Sequence, residues 1–130
     1  MCPDLRRTRG SLGEQIAADH LRGAGYLIVD RNFRAGRTGE IDLIAADADA
    51  LVFCEVKTRV AGGRSGPALP LDAVGPRKQR RIRSLASRWL HERRAEIGAP
   101  SRRRLRFDAI GITISPGGRL LALEHVRDAF

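Results

Sequence analysis

A chain of 130 residues is long enough for one domain with a real core and short for two. Its formal charge is +9, and all but two of its 24 basic residues are arginine, a surface suited to phosphates. No apolar run approaches the roughly 20 residues of a membrane span, and Met1-Cys2-Pro3-Asp4-Leu5-Arg6-Arg7 has no apolar stretch of the secretory kind. Cys2 and Cys54 do not make a disulfide framework, so a reducing cytoplasm is the expected setting.

Residues 1–10 are polar and basic and are expected to form an arm ahead of a single domain over 11–130. Ser11-Leu12-Gly13-Glu14 has the form of a capping box, with Ser11 as N-cap. Ile16, Ala17, His20, Leu21 and Ala24 follow at helical spacing, and Gly23 and Gly25 supply a stop. Glu14 shares a face with Ala17, Ala18 and Leu21, so its carboxylate is placed either to cap the helix or to reach the sheet surface. The two roles are compatible. Tyr26–Asp30 reads as a first strand ended by Asn32 and Phe33, and residues 34–39 make a basic loop.

The next stretch organises the chain. Gly39-Glu40-Ile41-Asp42-Leu43-Ile44 and Leu51-Val52-Phe53-Cys54-Glu55-Val56-Lys57 are two strands around a short acidic turn. A turn centred between Ala48 and Asp49 sets Asp42 across from Glu55 and Glu40 across from Lys57. Asp42 shares its side with Ile44 and Phe53, and the other side is apolar too, which predicts helices on both faces. Facing carboxylates repel across a sheet, and a hard divalent cation, Mg2+ or Mn2+, would offset the repulsion. Asp42 and Glu55 are therefore the candidate ligands, with the Val56 carbonyl as a further donor. Lys57, on the Glu55 side of its strand, is the candidate to orient or activate water near a scissile phosphate. Glu40 is a secondary acid or a partner for Lys57.

Residues 60–76 are rich in glycine and proline, a long loop read either as a substrate flap or as a merely mobile segment. Pro76 opens the strongest helix, whose apolar stripe is Ile82, Leu85, Ala86, Trp89 and Leu90. Lys78, Arg80, Arg81 and Arg83 lie on its basic surface and are the candidate nucleic-acid contacts; Trp89 belongs to the core. Two more strands, 105–114 and 120–125, flank the turn Ser115-Pro116-Gly117-Gly118. The expected fold class is α/β, a mixed central sheet flanked by helices. His20, His91 and His125 are scattered, and no arrangement supports covalent catalysis.

These features resemble the YraN-like family. The resemblance rests on Gly13-Glu14, Asn32, Gly39–Ile44, Val52–Arg59, Lys78-Gln79-Arg80-Arg81-Ile82, Phe107-Asp108 and Ala129-Phe130, and it covers about Gly10 to Phe130. It implies the restriction-endonuclease-like fold and the PD-(D/E)XK nuclease superfamily, close to Holliday junction resolvases. It further implies metal-dependent phosphodiester hydrolysis in branched or structured DNA, with Asp42 and Glu55 as ligands and Lys57 as catalytic lysine. Glu14 matches the helix acid that assists the metal, and Gln79, counted with Lys78, Arg80, Arg81 and Arg83 among the candidate nucleic-acid contacts, falls where some members place a helix glutamine near the site. Ile41 stands where the superfamily pattern has proline, a variable position. Resolvases of this kind are symmetric dimers, so a homodimer is expected by resemblance. The alternatives are a non-catalytic nucleic-acid-binding protein and a nuclease acting on RNA.

Overall fold

The computed structural model describes residues 5–62, 74–97 and 103–130, with side chains over 10–62, 74–93 and 103–130. In chain order the elements are α1 (Leu5–Gly23), β1 (Leu27–Arg34), β2 (Glu40–Ala46), β3 (Ala50–Val60), α2 (Pro76–Ile97), β4 (Arg104–Ile114) and β5 (Leu120–Val126). The strands form one sheet in the order β1-β2-β3-β4-β5. Neighbours are antiparallel except β3 and β4, whose parallel pairing requires a crossover that α2 supplies. The fold is therefore α/β with a mixed five-stranded sheet, consistent with a restriction-endonuclease-like core.

Period-two alternation divides the strands between two apolar layers, as the sequence pattern predicts. Leu43, Ala45, Val52, Cys54, Ile110 and Ile112 pack with Ala17, Ala18 and Leu21 of α1. Ile44, Ala46, Leu51, Phe53 and Phe107 pack with Ile82, Leu85, Ala86 and Trp89 of α2. Trp89 is buried, as expected: its ring meets Phe53 edge to face at 5.9 Å, and its indole N–H donates to Asp30 Oδ2 at 3.0 Å. Among the described residues, no helix is long and apolar enough to cross a membrane.

Two expectations are corrected. The first helix begins at Leu5, so Ser11 lies inside it and cannot be its N-cap, and residues 5–10 are helical instead of a loose arm. Glu14 is thus released from the capping role. Most of the 60–76 loop, 63–73, lies outside the described residues, so the flap reading does too.

Scattered polar residues also meet in space. Asp108, fully buried, accepts from Arg106 Nε at 2.9 Å and Nη2 at 3.0 Å, and lies 2.7 Å from His125 Nε2. His125 Nδ1 is in turn 3.1 Å from His20 Nε2, while Arg106 Nη2 donates to the Tyr26 hydroxyl at 2.6 Å. Burial pulls the Asp108 carboxyl up, but the hydrogen bonds from His125, Arg106 and the Asp128 amide outweigh it and hold it below the ordinary value. Asp108→Ala would leave the half-buried Arg106 guanidinium and His125 imidazole without the carboxylate they share. It is expected to cost roughly 3–5 kcal/mol in a urea melt.

Candidate functional site

The β2–β3 turn forms as the sequence predicts. Asp47 Oδ1 accepts from the amides of Asp49 at 2.9 Å and Ala50 at 2.7 Å, and the Asp47 amide donates to the Ala50 carbonyl at 3.0 Å. The ladder that follows pairs Ala46 with Leu51, Ala45 with Val52, Ile44 with Phe53 and Leu43 with Cys54. This is the expected register, and it stops one step short of Asp42 and Glu55. There the Asp42 carboxylate takes over the hydrogen bonding: Oδ2 accepts from the Val56 amide at 2.8 Å. In an extended strand a residue's N–H and C=O leave by the same edge, so the Val56 carbonyl also faces the side where the acids lie.

Because the ladder ends at Leu43, Glu40 is not registered with Lys57. It pairs with Arg34 of β1 instead, whose Nε donates to Glu40 Oε2 at 2.7 Å. Of the two readings of Glu40, the partnership with Lys57 is thus replaced by one with Arg34, and its carboxylate lies with the other acids. One carboxylate oxygen each from Glu14, Glu40 and Asp42 lie within 4.8 Å of one another. α1 delivers Glu14 by crossing β3 at Gly13, where a Cβ would come within 1.7 Å of Thr58 Oγ1. Only glycine permits so close an approach.

Glu55 is buried beside this trio and is bound by Lys78 of α2, with Nζ 2.5 Å from Oε1. A cavity of about 250 Å³ at this point is lined by Glu40, Asp42, Glu55, Lys78, Arg81 and Ile82. Lys57 is exposed and is not among the lining residues.

The electrostatics are those of buried, crowded carboxylates. Burial, then the neighbouring Glu55, push the Asp42 carboxyl up to about 9 against the Val56 hydrogen bond, and Glu14 and Glu40 add to the rise. Glu14 is raised by burial and by Glu40, an effect partly offset by a hydrogen bond from Asn32 and by the Arg31 charge. Asn32 has φ 51°, a left-handed conformation that asparagine tolerates better than most side chains.

The family model that matches residues 13–112 is described as "Uncharacterised protein family UPF0102". The chain belongs to family UPF0102. A UPF0102 protein of Rhodococcus opacus is 50% identical over 121 residues, covering 93% of this chain and 94% of the relative. A UPF0102 protein of Streptomyces coelicolor is 43% identical over 124 residues, covering 95% and 89%. One of Geotalea daltonii is 42% identical over 124 residues, covering 95% and 90%. The family to which the sequence resemblance pointed is the family shown.

In this UPF0102 chain the basic residues of α2 divide by task. Lys78 and Arg81 face the acids, and Arg80 is exposed. Arg83 is exposed but its guanidinium stands 4.7 Å over the Phe107 ring. Gln79 donates its side-chain N–H to the Val74 carbonyl at 2.9 Å, so it anchors the start of α2. Two contacts escaped the sequence reading, Lys78 on Glu55 and Asn32 on Glu14. Each joins two consecutive elements, β3 with α2 and α1 with β1, but it depends on how those elements pack, which no local pattern carries.

Proposed function

We propose that this UPF0102 chain is a metal-dependent endonuclease that hydrolyses phosphodiester bonds in structured or branched DNA. The observation that carries the reading is the convergence of Glu14, Glu40 and Asp42 within 4.8 Å, with buried Glu55 alongside. Hard carboxylate oxygens in such a set fit Mg2+ or Mn2+. The upward shift of Asp42 fits as well: burial first, then the neighbouring carboxylates, disfavour its charge, and a bound cation would offset both. Glu14, Glu40 and Asp42, with Glu55 and the Val56 carbonyl, would hold the ion. A bound ion of this kind polarises a phosphate oxygen and acidifies water.

The chain's own groups complete the chemistry. Arg81, across the cavity from Asp42, gives a phosphate oxygen a bidentate donor and holds the diester against the acids. Lys57 follows Glu55 on the same side of β3 and supplies positive charge to the developing transition state. The basic surface of α2, Arg80 above all, holds the flanking backbone without reading bases.

Lys78 gives one observation in favour of a second reading, binding without cleavage. Its ammonium already neutralises Glu55 and so competes for a ligand that the nuclease reading needs. A panel of branched, flap, single-stranded and duplex DNAs plus RNA, incubated with Mg2+, Mn2+ or EDTA, separates the two. The nuclease reading expects metal-dependent cleavage that falls roughly 100- to 10,000-fold in Asp42→Ala and Lys57→Ala proteins. Cleavage that persists in those variants would overturn the site. Binding throughout the panel with no cleavage would favour the second reading.

A further inference from the structure

Next to the acidic cavity lies a second hollow of opposite character. It is lined by Arg34, Gly36, Arg37, Gly39 and Glu40, and encloses about 440 Å³. Glu40 lines both hollows, so the two are neighbours on either side of this residue. Across that boundary the charged lining changes from three carboxylates with two cations to two guanidinium groups with one carboxylate. Gly39 sits at the junction with φ 118°, and a Cβ there would lie 3.1 Å from Arg81 Cδ. A larger residue would be strained at this φ and would crowd Arg81, whereas glycine avoids both.

Arg34 is already oriented. Its bond to Glu40 uses Nε, one of five guanidinium donors. Arg37, on the short connection between β1 and β2, is exposed at the rim of the hollow. Two guanidinium groups around a concave surface, one of them anchored, form an arrangement suited to phosphate oxygens.

We propose that this hollow on the β1–β2 connection is a phosphate-binding subsite for the DNA strand where it continues beyond the scissile bond. The strand then runs from the acids, past Gly39 and Arg81, to Arg34 and Arg37. It is held from two sides, by α2 and by the connection. The proposal rests on the nuclease reading, and it adds that the enzyme grips backbone outside the reacting diester. A substrate that ends at the cleaved bond therefore forgoes this grip.

The test uses Arg37→Ala, an exposed change on a connection that should leave the fold intact. Two probes are compared in Mn2+: a short single-stranded DNA oligonucleotide, and the p-nitrophenyl ester of thymidine monophosphate, which is too small to span both hollows. For the oligonucleotide, KM is expected to rise about tenfold with kcat little altered, the pattern of lost uniform binding. In Ca2+, the slope of log affinity against log salt should fall by about 0.7, the value for one phosphate contact on a single strand. The KM defect should be confined to the oligonucleotide. Equal oligonucleotide affinity and salt slope in Arg37→Ala and wild type would overturn the subsite and leave the nuclease reading intact. An equal loss on both probes would also overturn it, by placing Arg37 at the metal centre. Wild-type protein that neither binds the oligonucleotide nor cleaves either probe would overturn the subsite as stated, while the nuclease reading is decided separately by the panel of branched, flap and duplex DNAs.

Discussion

Asp42→Asn is expected to stabilise the metal-free protein and, in the same stroke, to destroy its affinity for a divalent cation. The Asp42 carboxyl is buried beside Glu55, with Glu14 and Glu40 near, and is pushed up to about 9. In the unfolded chain it titrates near the ordinary carboxylate value. Between those two values the folded state binds the proton that the unfolded state releases. Stability of the metal-free protein therefore falls as pH rises from about 4 to about 9. Asparagine keeps an acceptor for the Val56 amide and removes the titration, so the pH slope should flatten across that window. At pH 8 in EDTA the gain is on the order of a few kcal/mol, and the thermal midpoint should rise by roughly 4 °C or more. Midpoints of both proteins across pH, with and without Mn2+, check this. A metal-free Asp42→Asn protein no more stable than wild type at pH 8 would mean that the carboxylates do not repel as described.

Gly13→Ala carries the second large effect, and it links packing to the site. The added methyl would overlap Thr58 Oγ1 and come within 2.9 Å of Thr58 Cβ. Thr58 lies on β3, in the middle of the sheet, so α1 has to move away. Overpacking of this kind costs roughly 1–3 kcal/mol. Glu14 is the next residue, so the same displacement draws its carboxylate away from Glu40 and Asp42. Gly13→Ala should therefore weaken Mn2+ binding as well as stability, while a substitution on the exposed face of α1, such as Gln15→Ala, should leave Mn2+ affinity unchanged. Combining Gly13→Ala with Thr58→Ala removes Oγ1 and Cγ2 and should restore part of both losses. A double variant as impaired as the single one would show that the close approach is not what places Glu14.

The α/β class, the two covered sheet faces, the burial of Trp89 and the β2–β3 register were legible because each follows from a local period. Alternation along β2 and β3 puts Ile44 and Phe53 on one face and Leu43 and Cys54 on the other. The stripe from Ile82 to Trp89 does the same for α2. The helix start was not legible, because Ser11-Leu12-Gly13-Glu14 has capping residues that the chain does not use for capping. Of the two readings of Glu40, secondary acid or partner of Lys57, the partnership is the one that failed. Extending the hairpin register to the strand ends paired it with Lys57, but the ladder stops at Leu43 and β1 supplies Arg34 on its other side. Where a ladder ends depends on what competes for the backbone, in this case the Asp42 carboxylate on the Val56 amide. The site is assembled from α1, β1, β2, β3 and α2, and its distances are tertiary quantities that no single segment encodes.

Calorimetric titration of the metal-free wild-type protein with Mn2+ near neutral pH, in two buffers of different ionisation enthalpy, tests the central claim most directly. Binding is expected to release a proton, because the cation displaces the one that Asp42 holds, and both the binding and the buffer dependence should vanish in Asp42→Asn. Absence of Mn2+ binding at millimolar concentrations, or equal binding by the two proteins, would contradict the account.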